Sequence, residues 1–214
     1  MFNDWFLHQP KFLEDGLRYS YELRDDLKWD NGTSVTAKDV EFTSKIQVCP
    51  LTDNASVRGN YSSVIKDVIL DSDNPLKFTM VAFNKNVTNK SIYSEVYIQQ
   101  KSHWDPDGML DDLTFKQIHS PNFKEKKDWS DWFNGFNNGD NSYQAELLVG
   151  LGPYQISEWE TGSYIIATKK ENWWGDNDTS IYNQNYPEEI IFKIISDDAS
   201  VFLSLKSEGL DATN

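Results

Sequence analysis

Cysteine is almost missing: Cys49 is the one thiol in 214 residues. No intrachain disulfide can form, and a zinc site built on a cysteine cluster is excluded. Histidine is scarce as well. His8, His103 and His119 stand isolated, with no second ligand at helical or strand spacing and no triad order around them. No Gly-x-Ser-x-Gly elbow, phosphate loop or dinucleotide fingerprint occurs. No apolar run approaches the roughly 20 residues of a membrane span. Positive charge is in deficit: 20 Lys and Arg face 34 Asp and Glu, a formal net charge of −14. A chain this acidic repels phosphate backbones and anionic lipid surfaces, so nucleic acid is not expected as a partner. The opening residues Met1-Phe2-Asn3-Asp4-Trp5-Phe6 hold no basic stretch followed by an apolar one, and so do not read as a secretion signal.

Aromatic residues are plentiful at 14%, with 38% hydrophobic residues overall and a mean hydropathy of −0.63. Disordered acidic chains are poor in aromatics, so this one folds. The length suits one or two domains, burying roughly 70% of the unfolded chain's surface. The last residues, Asp211-Ala212-Thr213-Asn214, follow directly on a helical segment. Both ends read as cut, and the expectation is a piece of a longer chain.

The residue pattern predicts local structure in several places. Leu17, Tyr19, Tyr21 and Leu23 alternate with Arg18, Ser20, Glu22 and Arg24, a half-buried strand. Asp30-Asn31-Gly32 is a turn. Thr36 and Asp39 open a helix from about Ala37 to Ile46 that buries Val40 and Phe42 or Thr43. Residues 64–70 and 76–83 form a hairpin with Leu76, Phe78, Met80 and Ala82 inward, and 84–90 is a loop. In 124–138, Trp129, Trp132, Phe133 and Phe136 fall on one helical stripe and are expected to be buried together. Strands follow at 153–159 and 163–169 around Thr161-Gly162. Residues 189–195 are apolar on both faces apart from Lys193, which predicts an interior strand covered on both sides. Ser196-Asp197-Asp198 caps a last helix, expected to pack on the sheet and to stop at Gly209.

Chemistry is thinly supported by the residues themselves. Asp105-Pro106-Asp107-Gly108 with Asp111-Asp112 is rich in oxygen ligands, but its glycine offset is wrong for a calcium loop and no glutamate closes it. It reads as a turn. The six Asn-x-Ser/Thr triplets, beginning at Asn31, Asn54, Asn60, Asn86, Asn89 and Asn177, are what an Asn-rich chain produces by chance. Eight Trp residues could build a sugar-stacking surface, and many acids could supply a glycosidase pair. If extended, Trp173-Trp174 would place one ring inward and leave the other for packing or a ligand. No catalytic residue, metal site or cofactor is predicted.

Two blocks carry more. The first runs Tyr19 to Val40 and contains Lys28-Trp29-Asp30-Asn31-Gly32 and Thr36-Ala37-Lys38-Asp39-Val40. The second holds Gly150-Leu151-Gly152-Pro153-Tyr154, Trp159-Glu160, Gly162, Lys170-Glu171-Asn172-Trp173-Trp174-Gly175, Ile190 to Ile195, Asp198-Ala199, Leu205-Lys206 and Gly209 to Ala212. Their order and spacing resemble the extracellular solute-binding proteins of peptide-type ABC transporters, family 5, the oligopeptide/dipeptide/nickel-binding class. The match is strong at 17–43 and 150–212 and loose between. Leu151 stands where the family usually has a small polar residue.

The resemblance implies a mixed α/β fold, part of a periplasmic-binding-protein type 2 lobe with an inserted β-rich subdomain. It implies the subdomain at 17–149, the lobe core at 1–16 and 150–214, and a second lobe outside this chain. It implies a non-enzymatic solute-binding component, for oligopeptides, that delivers ligand to permease subunits. The implied location is the periplasm or cell surface, with membrane contact only through a lipid anchor outside the chain. In peptide-binding members the second lobe supplies the acidic anchor for the ligand's amino terminus, so that residue is not expected here. Tyr154 and Trp174 are the candidate ligand contacts. A secreted carbohydrate-binding or glycoside hydrolase fragment using exposed Trp is the competing reading.

Overall fold

The computed structural model describes residues 11–12, 16–94, 96–125, 127, 129–139, 144–178 and 185–213. His8 lies outside them. The alternation at 17–24 produces a strand with Tyr19, Tyr21 and Leu23 buried. This is β2 (Arg18–Glu22), which pairs antiparallel with β1 (Lys11–Phe12). The expected hairpin is β3 (Ile65–Leu70) and β4 (Lys77–Ala82), and β4 also pairs with β2. The result is a four-stranded antiparallel sheet in the order β1-β2-β4-β3. Cross-strand aromatic packing fixes its register: Tyr21 sits opposite Phe78, their rings stacked at 5.3 Å. Residues 11–12 thus pair with the first sheet, and most of the segment 1–16 that the resemblance assigns to the lobe core lies outside the described residues.

One face of this sheet is covered by α1 (Ala37–Val48), two residues longer than the pattern predicts. Asp39 and Thr36 form its capping box. Asp39 Oδ2 accepts the Thr36 N–H at 2.8 Å, and Oδ1 accepts the Lys101 N–H at 2.9 Å. The carboxyl is buried, and that burial pushes its pKa up despite the donors. Val40, Phe42, Thr43, Ile46 and Val48 are all buried. Short helices α2 (Ala55–Ser62), α3 (Asn89–Ser94), α4 (Lys101–Trp104) and α5 (Phe115–Ile118) complete the layer. None shows in the residue pattern, and α3 starts inside the stretch read as a loop. Helices of four to eight residues take their stability from tertiary contacts rather than from periodicity.

The long helix expected at 124–138 is not formed. A 3-10 turn at Phe123–Glu125 is followed by α6 (Ser130–Phe136). Of the stripe, only Phe133 is fully buried, at 1% exposure. Trp129, Trp132 and Phe136 are half-buried and pack against the rim of the core. Trp132 stacks on Phe136 at 5.1 Å and meets Phe42 edge-on at 6.0 Å. A seven-residue helix makes two turns, so its apolar stripe caps the core instead of crossing it.

The second sheet is antiparallel: β5 (Tyr154–Glu160), β6 (Tyr164–Lys169) and β7 (Glu189–Lys193), in that order. Gly162, at φ +77°, makes the β5–β6 turn. Two expectations fail here. β7 is an edge strand, and Ile191 and Phe192 are 48% and 54% exposed. The following helix α7 (Asp198–Lys206) buries no residue. The apolar character of both is real, but Ile190, Val201 and Leu205 are only half-buried while Ile191, Phe192, Phe202 and Leu203 stay exposed. Nor does Gly209 supply the left-handed stop of α7. Glu208 takes that conformation at φ +56°. The Gly209 N–H then reaches back to the Ser204 carbonyl at 2.8 Å, and the Glu208 N–H to Leu205 at 3.2 Å. That is a Schellman cap displaced by one residue.

Burial grades the aromatic stripe, which predicts unequal costs. Phe133→Ala is expected to lose about 3–5 kcal/mol, the range for emptying a fully buried aromatic site. Trp132→Ala, losing only half-buried contacts, costs clearly less. Urea denaturation of both variants checks the order, and equal losses would contradict it.

Candidate functional site

A cleft of about 670 Å³ opens between the turn at 28–32 and the second sheet. Its near wall is built by the first recognisable block. Gly32, at φ +78°, closes the turn by donating to the Trp29 carbonyl at 2.8 Å. Asn31 Oδ1 accepts the Thr33 N–H at 3.1 Å. The turn leaves Lys28 and Asp30 exposed while Trp29 is buried beneath them.

The far wall comes from the second block. Asn172 adopts φ +59° after β6 and reverses the chain. The two tryptophans are therefore not extended, and both turn toward one acceptor. Trp173 Nε1 and Trp174 Nε1 donate to the Leu151 carbonyl at 2.8 and 2.9 Å. Their rings sit 4.8 Å apart. Trp173 is buried and Trp174 half-buried. Gly175 permits this approach, because a Cβ there would stand 2.3 Å from the Trp173 ring.

Ion pairs bridge the two walls. Lys170 Nζ meets Asp30 Oδ1 at 2.6 Å and donates to the Gly150 carbonyl at 2.9 Å, with its side chain only 8% exposed. Arg24 lies 5.2 Å over the Trp174 ring. The same guanidinium pairs with Asp26 at 2.6 Å and Asp178 at 3.1 Å. These bonds raise the pKa of Arg24 and hold the Asp26 carboxyl below the usual carboxylate range. The cleft thus presents both charge signs, Lys28 and Lys169 beside Glu171, next to an indole face. Such a wall suits a polar solute with separated charges. No nucleophile hydrogen-bonded to a base stands among its lining residues.

Of the two predicted contacts, Trp174 lines the cleft and Tyr154 does not. The Tyr154 hydroxyl donates to the Pro187 carbonyl at 2.8 Å. The structure does not bring the two together. Arg24, Lys28 and Lys170 were missed as site residues, although all three lie in or beside the recognised blocks. Their pairing joins residues up to 154 positions apart. His103 Nε2 contacts the Leu147 carbonyl at 3.1 Å, and His119 Nε2 the Ile65 carbonyl at 3.0 Å. Burial lowers the pKa of His119. Asp105 is buried and accepts the Met109 and Leu110 amides at 2.8 and 3.1 Å, closing the Asp-rich turn. Among the described residues no group of three His, Cys, Asp or Glu is placed to hold a metal ion.

Residues 5–214 match the family model described as bacterial extracellular solute-binding proteins, family 5 middle. The chain is 23% identical over 205 residues to the oligopeptide-binding protein AppA of Bacillus subtilis. That alignment covers 95% of this chain and 31% of AppA. Its fold resembles NikZ of Campylobacter jejuni, solved in complex with Ni(L-His), at a TM-score of 0.60 and 22% identity. The overlap there is 94% of this chain and 32% of NikZ. It also resembles the structure of AppA from Bacillus subtilis with a nonapeptide, at a TM-score of 0.61 and 18% identity, over 96% of this chain and 34% of that one. The chain spans about a third of the length of these proteins.

The Arg24 pairing predicts a pH dependence. Asp26 has a depressed folded pKa, so its contribution to stability is full above its unfolded value of about 3.9 and is lost as pH falls through the folded value. In Arg24→Met the Asp26 carboxyl should titrate back in the ordinary range. Carboxyl-carbon NMR titration reads this directly, and an unchanged Asp26 midpoint would contradict the assignment.

Proposed function

We propose, because the chain belongs to the bacterial extracellular solute-binding proteins of family 5, that it forms part of the ligand-capturing component of an ABC transporter. That component binds a solute outside the cell and delivers it to permease subunits in the membrane. The proposed solute is an oligopeptide, following the peptide-binding relative AppA. The proposed location is the periplasm or cell surface, with a lipid anchor outside residues 1–214. Binding without turnover is the reading, in line with the family. The observation that carries it is the family match along residues 5–214.

Within this reading the chain supplies part of a binding cleft, and the rest comes from outside residues 1–214. Trp174 is the proposed contact in the cleft, offering its half-buried ring to the solute. Tyr154 stands outside that wall and is proposed as a contact at the start of β5. The carbohydrate-binding or glycoside hydrolase reading is not favoured, because residues 5–214 match solute-binding proteins of family 5.

The test is a thermal-shift panel of peptides, sugars and metal chelates on the full-length product of the gene. A ligand at one hundred times its Kd stabilises by about 2.7 kcal/mol. Peptides are expected to raise the melting temperature. A shift confined to sugars would overturn the proposal.

A further inference from the structure

The charges that line the cleft do not balance. Lys28, Lys169 and Lys170 stand against Asp30 and Glu171. One ion of each sign is already engaged, because Lys170 Nζ meets Asp30 Oδ1 at 2.6 Å. Lys28 stands on the near wall, and its Nζ donates to the neutral Ser34 hydroxyl at 2.6 Å. Lys169 ends β6 on the far wall. The carboxylate nearest it, Glu188, lies 3.8 Å away on a side chain that is 87% exposed. A pair that loose and that wet is worth little. An ammonium group carries three donors, so each of the two lysines keeps donors for a further partner. The molecule as a whole repels anions, with a formal net charge of −14. A cleft lined by cations focuses the opposite field on one spot of that surface. The half-buried Trp174 ring beside them offers apolar area to the carbon chain that carries such an anion.

We infer that Lys28 and Lys169 form a seat for a carboxylate of the solute, with one ammonium group donating from each wall of the cleft. The inference deepens the peptide reading and rests on it. A peptide offers the group from two sources, its C-terminus and the side chains of Asp and Glu, and the seat recognises the chemistry they share. Hydrogen bonds between an ammonium and a carboxylate are the strong, charge-assisted kind. Lys170 takes no part, because Asp30 already neutralises it. Glu171 works against the seat. It is exposed on the same lining, and like charges in one cleft repel. The three side chains therefore set a sign for each substitution. Removing either lysine weakens binding of a carboxylate, and removing the Glu171 charge strengthens it.

The test is capture of randomised pentapeptides by the full-length product of the gene. The pool is supplied as free acids and as C-terminal amides, and bound peptides are quantified by mass spectrometry. Amides that lack Asp and Glu are expected to bind about tenfold more weakly than the free acids. If amides that contain Asp or Glu keep the affinity of the acids, the side chain supplies the carboxylate. If they fall equally, the C-terminus does. Lys28→Met and Lys169→Met should each narrow the gap between acids and amides, and Glu171→Gln should widen it. Lys66→Met, at an exposed position of β3 outside the cleft, should leave it unchanged. Lys28 and Glu171 are exposed, so their variants decide even if Lys169→Met does not fold. Equal capture of acids and of amides lacking Asp and Glu would overturn the inference and leave the peptide reading standing. A gap that Lys28→Met does not change would also overturn it. No capture from either pool would overturn the peptide reading and the inference with it.

Discussion

One backbone carbonyl organises the junction of this molecule. The oxygen of Leu151 has two lone pairs, and each takes an indole N–H, from Trp173 and from Trp174. Indole N–H groups that leave water need partners, so the two rings can converge only where such an acceptor is offered. Leu151 itself is buried and belongs to the core of the first sheet. The departure from the family's small polar residue thus has a physical use here. The leucine side chain anchors in one sheet's core while its carbonyl holds the turn that follows β6 of the other sheet. Asn172 in the left-handed region and the missing Cβ at Gly175 are local conditions of that arrangement. The Lys170–Asp30 pair sets the distance between the walls. These contacts join the two walls of the cleft.

A second set of buried polar contacts fixes the first sheet's outer layer. Asp39, Lys45 and Asp105 are all buried, and each is satisfied by groups distant in sequence or in a neighbouring turn. Lys45 Nζ donates to the Leu110 carbonyl at 3.0 Å and pairs with Glu41 at 3.0 Å. The Thr43 hydroxyl donates to the Asp39 carbonyl at 2.6 Å and accepts the Gln99 N–H at 2.8 Å. Segment 99–112 has little regular structure, so α1 defines its path through side chains. Losing one partner would strand a buried donor or acceptor, which costs more than the bond itself is worth.

Legibility in the sequence followed the range of the interactions. Strand β2, the β3–β4 hairpin and the start of α1 could be read because alternation and capping are local signals. The four short helices could not, since their residues have no periodic excess and their positions depend on long-range bonds such as that from the Lys101 N–H to Asp39. The stripe of Trp129, Trp132, Phe133 and Phe136 was correctly seen as apolar, but its depth depends on where a two-turn helix meets the core. β7 was correctly seen as doubly apolar. Its cover could not be read, because apolarity states a need without stating what meets it. At the cleft, Trp174 could be found from the family block. Arg24 and Lys170 could not, because the bridges they make across the cleft, to Asp178 and Asp30, join residues far apart in the chain.

Residues 1–214 are proposed to hold part of a solute-binding cleft, with the remaining wall supplied from outside them. Loss of half of a pocket's contacts removes several kcal/mol, and each 1.4 kcal/mol is tenfold in affinity. Titration calorimetry of one peptide ligand against residues 1–214 and against the full-length protein measures this directly. The account predicts binding at least about a hundredfold weaker for residues 1–214. Equal affinity in the two would place the whole site within this chain and contradict the shared cleft.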